Sequence, residues 1–469
     1  MRPNSRRRTG SAAFLAAALA FAPHARAGDP QKVTEERVRA ALADARAALE
    51  KECGAKLDAS LGVRFASAAE LSRRIVEENL PLVRLRQPDE EHAKAEAQTL
   101  GDAASASMFA KYSWTPRELL VAPKTLEDQA AQLATPELTS DTTLRALLVH
   151  ELVHAWDDAQ LGIPRLLGHA DSIDAANAAA AVLEGHAQLV ARRVCKARGW
   201  SAGFDAYTGL IGKIPDSAKQ LGEGLMTTLR ARSEATLFTY RDGERFVAAL
   251  DAAGAEAVAR AFREPPRDGE TILHPEWFLD PKKRPAVLYD PEPALELFIA
   301  RFPNSVWTAQ RQSLQSSQFE SGMTSLPKEE AHALAASLRG ARQVVLYPTA
   351  NPAEKIVVLT VFEFGSEKEA RAFLDASDRL SKLKDEQMKT GVVRITGSTN
   401  STIQAEGLSG MLHTKQMKNR ELAFEVANID LLRGKVVVET LFSGEPISLD
   451  EHVKLAVDLL GAVKLREAK

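Results

Sequence analysis

The chain has 469 residues, 45% of them hydrophobic and 26% charged, which is ordinary globular material, long enough for two domains with real cores, and excludes disorder as the default. Its formal net charge is −3; the first 27 residues hold five arginines and no acid, so without them 55 Lys+Arg stand against 63 Asp+Glu, a net of −8. That balance argues against nucleic acid or an anionic membrane surface as the main partner.

Residues 1–27 read as a signal peptide. Arg2, Arg6, Arg7 and Arg8 precede an apolar run from Ser11 to Ala22, and Ala25-Arg26-Ala27 supplies a small-x-small cleavage site. The run is about a dozen residues long, short of the roughly 20 that a spanning helix needs. No later stretch reaches that length, so an exported protein without stable membrane insertion is expected, with an uncleaved anchor as the alternative. Thr9-Gly10-Ser11 does not provide the apolar residues that follow a twin-arginine pair. Two cysteines, Cys53 and Cys195, fit an exported protein with at most one internal disulfide and carry no metal-binding spacing.

From Gln31 to about Arg263 the pattern is mostly helical. Val38, Leu42, Ala45 and Leu49 form one apolar stripe. A helix from about Ser67 to Asn79 is expected to stop before Pro81, and Arg117–Ala122 is the best strand of this half. A helix begins at Ser140 or Asp141 and ends around Gly162 and Pro164; another starts near Asp171 or Ser172 and ends by Gly199. Helices over about Asp216–Phe238 and Asp242–Arg263 follow, and the prolines between Pro275 and Pro293 mark a boundary or wrapping segment. Past Leu326, strands are expected at Val344–Tyr347, Ile356–Phe364, Val392–Ile395, Ala423–Ile429 and Lys435–Phe442, with helices at Lys368–Leu383 and Leu449–Val463. This predicts one antiparallel sheet with helices on one face. The segment Gln310–Ser325 reads as a flexible joint.

The chemistry concentrates in His150-Glu151-Leu152-Val153-His154. Positions i and i+4 share a helix face, so both imidazoles can reach one metal ion, while Glu151 stands beside them, placed to touch a water that the ion holds. With 10 histidines in the chain, a chance HExxH is expected at about 0.01 per sequence. A solvated polar helix face is the plain alternative, but Leu144, Leu147, Leu148, Val149, Leu152 and Val153 make this helix apolar nearly all round. Buried histidines need partners, and a metal supplies one. A catalytic zinc site wants a third protein ligand and an open position. Gln160 stands where an HExxHxxGxxH pattern would place a histidine, so Glu184 is the better candidate. It lies 30 residues after His154 with Ala180, Gly185, Ala187 and Ala191 around it, small residues that let helices approach closely. His186 and His169 compete for the role; the first points to another helix face, and the second sits in a glycine- and proline-bounded loop.

The run Leu147 to Ala155, then Asp158, then Leu183-Glu184-Gly185-His186-Ala187, resembles the bacterial glutamate-ligand zinc metallopeptidases, the gluzincins, with their HELxHA and EGxA motifs. Gly243–Phe246, Ala257-Val258, Pro265-Pro266 and Glu270–Pro275 are similar to a later segment of that group. The likeness spans about Leu144 to Phe278, with a loose echo at Gly365–Leu374. Trp156 and Asp157 depart from it, replacing the usual leucine and glutamine. The resemblance implies a mechanism the residues also permit: zinc polarises a water, Glu151 takes its proton, the hydroxide attacks a peptide carbonyl, and Glu151 passes the proton to the leaving amine. A further donor to the carbonyl oxygen is needed, for which His274 and Tyr240 are candidates; Asp158, one turn beyond His154, is a candidate to orient a ligand imidazole.

No phosphate loop, nucleophile elbow or basic aromatic patch is present, and Cys195 has no assignable catalytic histidine. The expectation is therefore an α+β protein: signal peptide 1–27, a mainly helical zincin-like metallopeptidase domain over 28–290, a linker or wrapping segment over 291–325, and a smaller α+β domain with an antiparallel sheet over 326–469. Zn2+ is the expected cofactor and a peptide or protein the expected substrate, with no nucleic acid. The alternatives are a metal-binding scaffold that cleaves nothing and a zinc hydrolase of a non-peptide amide such as a cell-wall linkage.

Overall fold

The computed structural model describes residues 30–85, 90–211, 233, 235–303, 305–323, 325–349, 355–387, 394–405, 407–418 and 423–466. The segment read as a signal peptide and most of the helix expected over Asp216–Phe238 lie outside the described residues.

Thr34 caps α1 (Glu35–Cys53) by accepting the Arg37 amide, and Gly54 ends it in the left-handed conformation that glycine adopts at no steric cost. Its buried face, Val38, Ala41, Ala45, Ala48 and Leu49, joins the core of the helical domain. After β1 (Gly62–Phe65), α2 (Ala68–Arg84) opens with a reciprocal cap between Ser67 and Glu70. This helix does not stop before Pro81 but runs through it. Val83, beyond the proline, is buried with Ala93 and Ala97 of α3 (Glu90–Ser105). Burying a valine is worth about 1.5–3 kcal/mol, which offsets much of the roughly 3 kcal/mol that an internal proline costs.

Next come β2 (Ala110–Trp114), β3 (Arg117–Val121) and α4 (Pro123–Gln132). The three strands form a small sheet in the order β1-β3-β2, with β1 parallel and β2 antiparallel to the central β3. β2 is therefore an edge strand. The Ala122 amide donates to the Phe109 carbonyl at 2.7 Å, and with the register Ala110↔Val121 the alternation of an antiparallel ladder turns the amides of Tyr112 and Trp114 away from β3.

The long helices α5 (Asp141–Leu161) and α7 (Ile173–Arg198), separated by the short α6 (Ile163–Gly168), cross at the centre of this domain, and α8 (Ser201–Thr208) packs on α5. A π-helical turn, Phe238–Asp242, leads into α9 (Gly243–Ala253) and α10 (Ala255–Arg263). The single helix expected over Asp242–Arg263 is broken because Gly254 takes φ 123°. Two short helices, α11 (Gly269–Leu273) and α12 (Pro275–Leu279), close the domain.

The second unit begins with β4 (Tyr289–Asp290) and α13 (Glu292–Ala300). Then follow β5 (Trp307–Ser313), α14 (Ser316–Ser321), α15 (Lys328–Ser337), β6 (Leu338–Pro348), β7 (Ile356–Phe364) and α16 (Glu367–Gln387). The chain finishes with β8 (Arg394–Ala405), β9 (Leu408–Lys418), β10 (Ala423–Arg433), β11 (Val436–Ser443), α17 (Leu449–Ala462) and β12 (Lys464–Leu465). Strands β5 to β11 make one antiparallel sheet of seven, in the order β5-β6-β7-β11-β10-β9-β8. The α+β class is thus as expected, with two corrections. Residues 291–325 are not a linker: Phe298 is fully buried, and β5 pairs with β6 from Trp307↔Pro348 to Ser313↔Arg342. Helices also cover both faces of the sheet rather than one. Val357, Leu359 and Val361 pack with α13 and α17, whereas Phe362 and Phe364, on the opposite face by strand alternation, pack with α16.

The two units touch through α14: Gln315 donates to Asp174 at 3.0 Å, and the Ser316 hydroxyl donates to Glu270 at 3.2 Å. No described helix is long and apolar enough to cross a membrane.

Candidate metal centre

Ser140 starts α5 by accepting the Thr143 amide, and Ser172 starts α7 by accepting the Ala175 amide. Burial runs almost all round the middle of α5: Leu148, Val149, Leu152 and Val153 are fully buried and His150 and His154 nearly so. Burying each such aliphatic side chain is worth about 1.5–3 kcal/mol, and that is what fixes the two histidines inside the domain rather than on its surface.

Glu184 of α7 meets them there. Its Oε2 lies 3.1 Å from His150 Nε2 and 3.5 Å from His154 Nε2, and the two Nε2 atoms are 3.1 Å apart. These three residues form a group whose ligand atoms converge. A tetrahedral ion with bonds of about 2.0–2.1 Å separates its ligand atoms by about 3.3 Å, and the observed distances bracket that spacing. A bare pair of buried imidazole nitrogens facing each other would share a single proton between two acceptors, whereas a common cation satisfies both. Both Nδ1 atoms lack a hydrogen-bond partner among the described residues.

The electrostatics around the triad agree with a carboxylate held ionised. Burial alone would raise the Glu184 carboxyl, but the His154 and His150 imidazoles override it and hold it far below the usual carboxylate range. Burial pulls His154 down, and the Glu184 charge more than compensates, leaving it raised. Tyr240 stacks on His150 with ring centroids 5.9 Å apart and planes 17° apart. Burial first, then the charges of Glu184 and Glu151, push its hydroxyl well above the usual phenol range, so it remains a proton donor.

Glu151 faces β2. Its Oε2 accepts the Tyr112 amide at 2.6 Å, one of the amides that the edge strand turns outward. A small cleft of about 70 Å³ joins these groups, lined by His150, Glu151, His154, Glu184 and Tyr240 together with Lys111, Tyr112 and Trp114 of β2. Lys111 is itself neutralised by Glu78 of α2 at 2.7 Å, and Glu78 also accepts from the Ser113 hydroxyl at 2.8 Å and the Trp114 amide at 3.2 Å. The sequence reading missed β2 and with it Tyr112, although the alternation in Phe109–Trp114 ahead of Pro116 was a usable signal.

The expected helpers divide. Tyr240 is at the site. His274 is not: it caps the end of α11, stacks on Trp277 at 4.1 Å, pairs with Glu276 at 3.2 Å, and does not line the cleft. Asp158 is buried but touches neither ligand imidazole. It accepts from the Tyr112 hydroxyl at 2.8 Å, Arg117 Nε at 2.7 Å and the Ile163 amide at 3.0 Å, so it ties α5 to the hairpin β2–β3 and to α6. The reason is helical geometry: a residue four beyond His154 sits one turn along the same face, opposite the hairpin rather than behind the ring. His186 points away as expected and pairs with Asp157 at 3.0 Å, and His169 is exposed at the end of α6.

The small residues near Glu184 work differently from expectation. A Cβ on Gly185 would stand 2.2 Å from the Gly243 backbone, and one on Gly243 would stand 2.2 Å from the Ala181 carbonyl. The close approach is therefore between α7 and α9, and it is what brings the adjacent Tyr240 onto His150. Cys53 and Cys195 are both free thiols, and burial pushes Cys195 up to about 12, which leaves it unreactive.

No family model matches the chain, and no curated protein matches it. Among solved structures, the crystal structure of the extracellular domain of PknH from Mycobacterium tuberculosis is similar at 12% identity, over 37% of this chain and 91% of that one, with a TM-score of 0.24. A likeness that weak decides neither the fold nor the activity.

Proposed function

We propose that the protein is an exported zinc-dependent metallopeptidase of the gluzincin kind, with a zincin-like helical domain. The observation that carries this is the convergence of His150 Nε2, His154 Nε2 and Glu184 Oε2 at mutual distances of 3.1–3.5 Å, with Glu151 one residue along the same helix. Two imidazoles and one carboxylate are the donor set of a catalytic zinc site that keeps a position open. A zinc ion held there supplies Lewis acidity toward a water and a carbonyl oxygen.

The chain's own residues do the rest. Tyr112 holds Glu151 Oε2 through its amide, which orients the carboxylate and leaves Oε1 to take the proton of the attacking water and return it to the leaving amine. Tyr240, kept protonated by its surroundings, donates to the oxygen that gains charge as the carbonyl becomes tetrahedral. Export is supported by the arginine-led apolar segment and the Ala25-Arg26-Ala27 site ahead of the domain.

Metal content and casein hydrolysis of purified protein test this together. Wild type is expected to hold one zinc per chain and to lose hydrolysis to a chelator. Glu151→Gln should keep the zinc and lose on the order of 10²–10⁴ in rate, and Glu184→Ala should lose the zinc. Wild type without stoichiometric metal would remove the proposal; full metal with no hydrolysis of casein or peptide libraries would leave the scaffold reading.

A further inference from the structure

A second cavity, of about 510 Å³, lies where the helical domain meets the sheet of the C-terminal unit, a size and a position typical of small-molecule sites. Its floor is one face of the sheet. The register places Arg342 opposite Val361, and Gly340 opposite Glu363, which in turn faces Val436; those two valines are buried in the sheet core, and the accessible apolar surface of the cavity comes from Val287 and Leu314. Its roof is the segment Pro281–Pro291, held down because Glu363 accepts the amides of Leu288 and Tyr289 at 2.9 and 3.1 Å.

Four arginines line this space, and their placement is not accidental in the backbone. Arg339 and Arg342 are three residues apart and would point to opposite faces of a regular strand. The register of β6 against β7 slips between Leu338 and Gly340, and that bulge re-aims Arg339 so that both line the cavity. Arg466 is brought in by the pairing of β12 with β4, its amide donating to the Leu288 carbonyl at 2.7 Å and its Nε to the Tyr289 carbonyl at 3.1 Å.

The acids in the same walls accept hydrogen bonds from other groups, although the Asp174 carboxylate lies close enough to feel the charge of Arg342. Asp268 takes Arg284 at 2.7 Å, Asp174 takes Gln315 and the Gly269 amide, Glu270 takes Ser316, and Glu363 takes the roof amides. Arg339, Arg342 and Arg466 form no ion pair with a described residue; each makes only neutral hydrogen bonds, to the Ala336 and Leu338 carbonyls, the Ser313 hydroxyl and the Tyr289 carbonyl respectively. Each guanidinium has five N–H donors in a fork suited to carboxylate or phosphate oxygens.

We infer that this interdomain cavity binds a small organic anion, its apolar body on Val287 and Leu314 and its carboxylate or phosphate group on Arg339, Arg342 and Arg466. The inference rests on nothing at the metal centre, and its test is read as binding rather than as hydrolysis.

Calorimetric titration of the purified full chain with octanoate, octyl phosphate, octanol and octylammonium separates charge from chain. One anion per protein is expected, bound at least tenfold tighter than octanol, with octylammonium not binding; the better of the two anions identifies the head group. The exposed pair Arg342→Ala and Arg466→Ala should weaken it at least tenfold. On unaltered protein, the preferred anion should protect Arg339, Arg342 and Arg466 from phenylglyoxal, read by peptide mass. Anions bound no tighter than octanol, affinity unchanged in the double variant, or arginines modified equally with and without ligand would each overturn the assignment.

Discussion

Tyr240 and Asp158 show how differently two residues near one helix can act. The Tyr240 hydroxyl is protonated and beside the triad of His150, His154 and Glu184, so under the proposed function its removal should affect the developing oxyanion more than ground-state binding. Tyr240→Phe is expected to keep its metal and lower kcat about 10²-fold with little change in KM. Asp158, by contrast, carries three hydrogen bonds that join α5, α6 and the β2–β3 hairpin. A change there should appear first in stability. His150, Glu151 and His154 could be read together because their juxtaposition is set by spacing within one helix, whereas Glu184, on α7, was picked out by the small residues around it and by the motif it resembles, and meets them only where the two helices pack. The role of Asp158 was not readable, because it depends on what packs against the far side of its turn.

At the scale of elements, the contact between α7 and α9 is set by two glycines. Each lies where a single added carbon would meet the other helix's backbone at 2.2 Å, far inside van der Waals contact. Gly185→Ala therefore has to part the helices, at a cost of about 3 kcal/mol, and should displace Tyr240 from His150 while leaving the triad on α5 and α7 in place. The expected result is a lower Tm, near-normal zinc content and reduced hydrolysis; an unchanged Tm would show that the approach is looser than the backbone indicates. The helices α5 and α7 were legible to within one or two residues from Ser140, Ser172 and Gly199, because caps and periodicity are local. The strands β1 and β2 were not, since short strands gain their stability from neighbours that the sequence does not name.

For the molecule as a whole, the separate cores of the helical domain and of the sheet unit predict two thermal transitions with different levers. With the proposed ion held by the triad, a chelator should lower only the transition of the helical domain, by mass action. pH should act on the sheet unit through Glu439. Burial of its carboxyl, with Asp430 directly across the strand pair, pushes it up to about 8, against partial relief from Lys384. Burial likewise raises Asp430, near His413. The native sheet thus holds a proton that the unfolded chain releases near 4.5. Its contribution to stability is complete below that pH and is lost as pH rises toward about 8. The stability of the sheet unit should fall between pH 5 and pH 8, by a few kcal/mol at roughly 1.4 kcal/mol per pH unit, so its Tm should be lower at pH 8, and Glu439→Gln should flatten that fall, as scanning calorimetry at both pH values would reveal.

The amino-acid order alone determined the HExxH helix, the partner helix with its glutamate, the α+β class and most strands of the larger sheet, because each is written in local periodicity, caps and spacing. Only the tertiary structure decided that 291–325 belongs to the sheet unit, that an edge strand holds Glu151, that Tyr240 rather than His274 stands at the ligands, and that arginines from distant segments share a cavity. Those facts arise from contacts between residues far apart in the chain, and such contacts are set by packing and by the satisfaction of buried polar groups, which no single stretch of sequence contains.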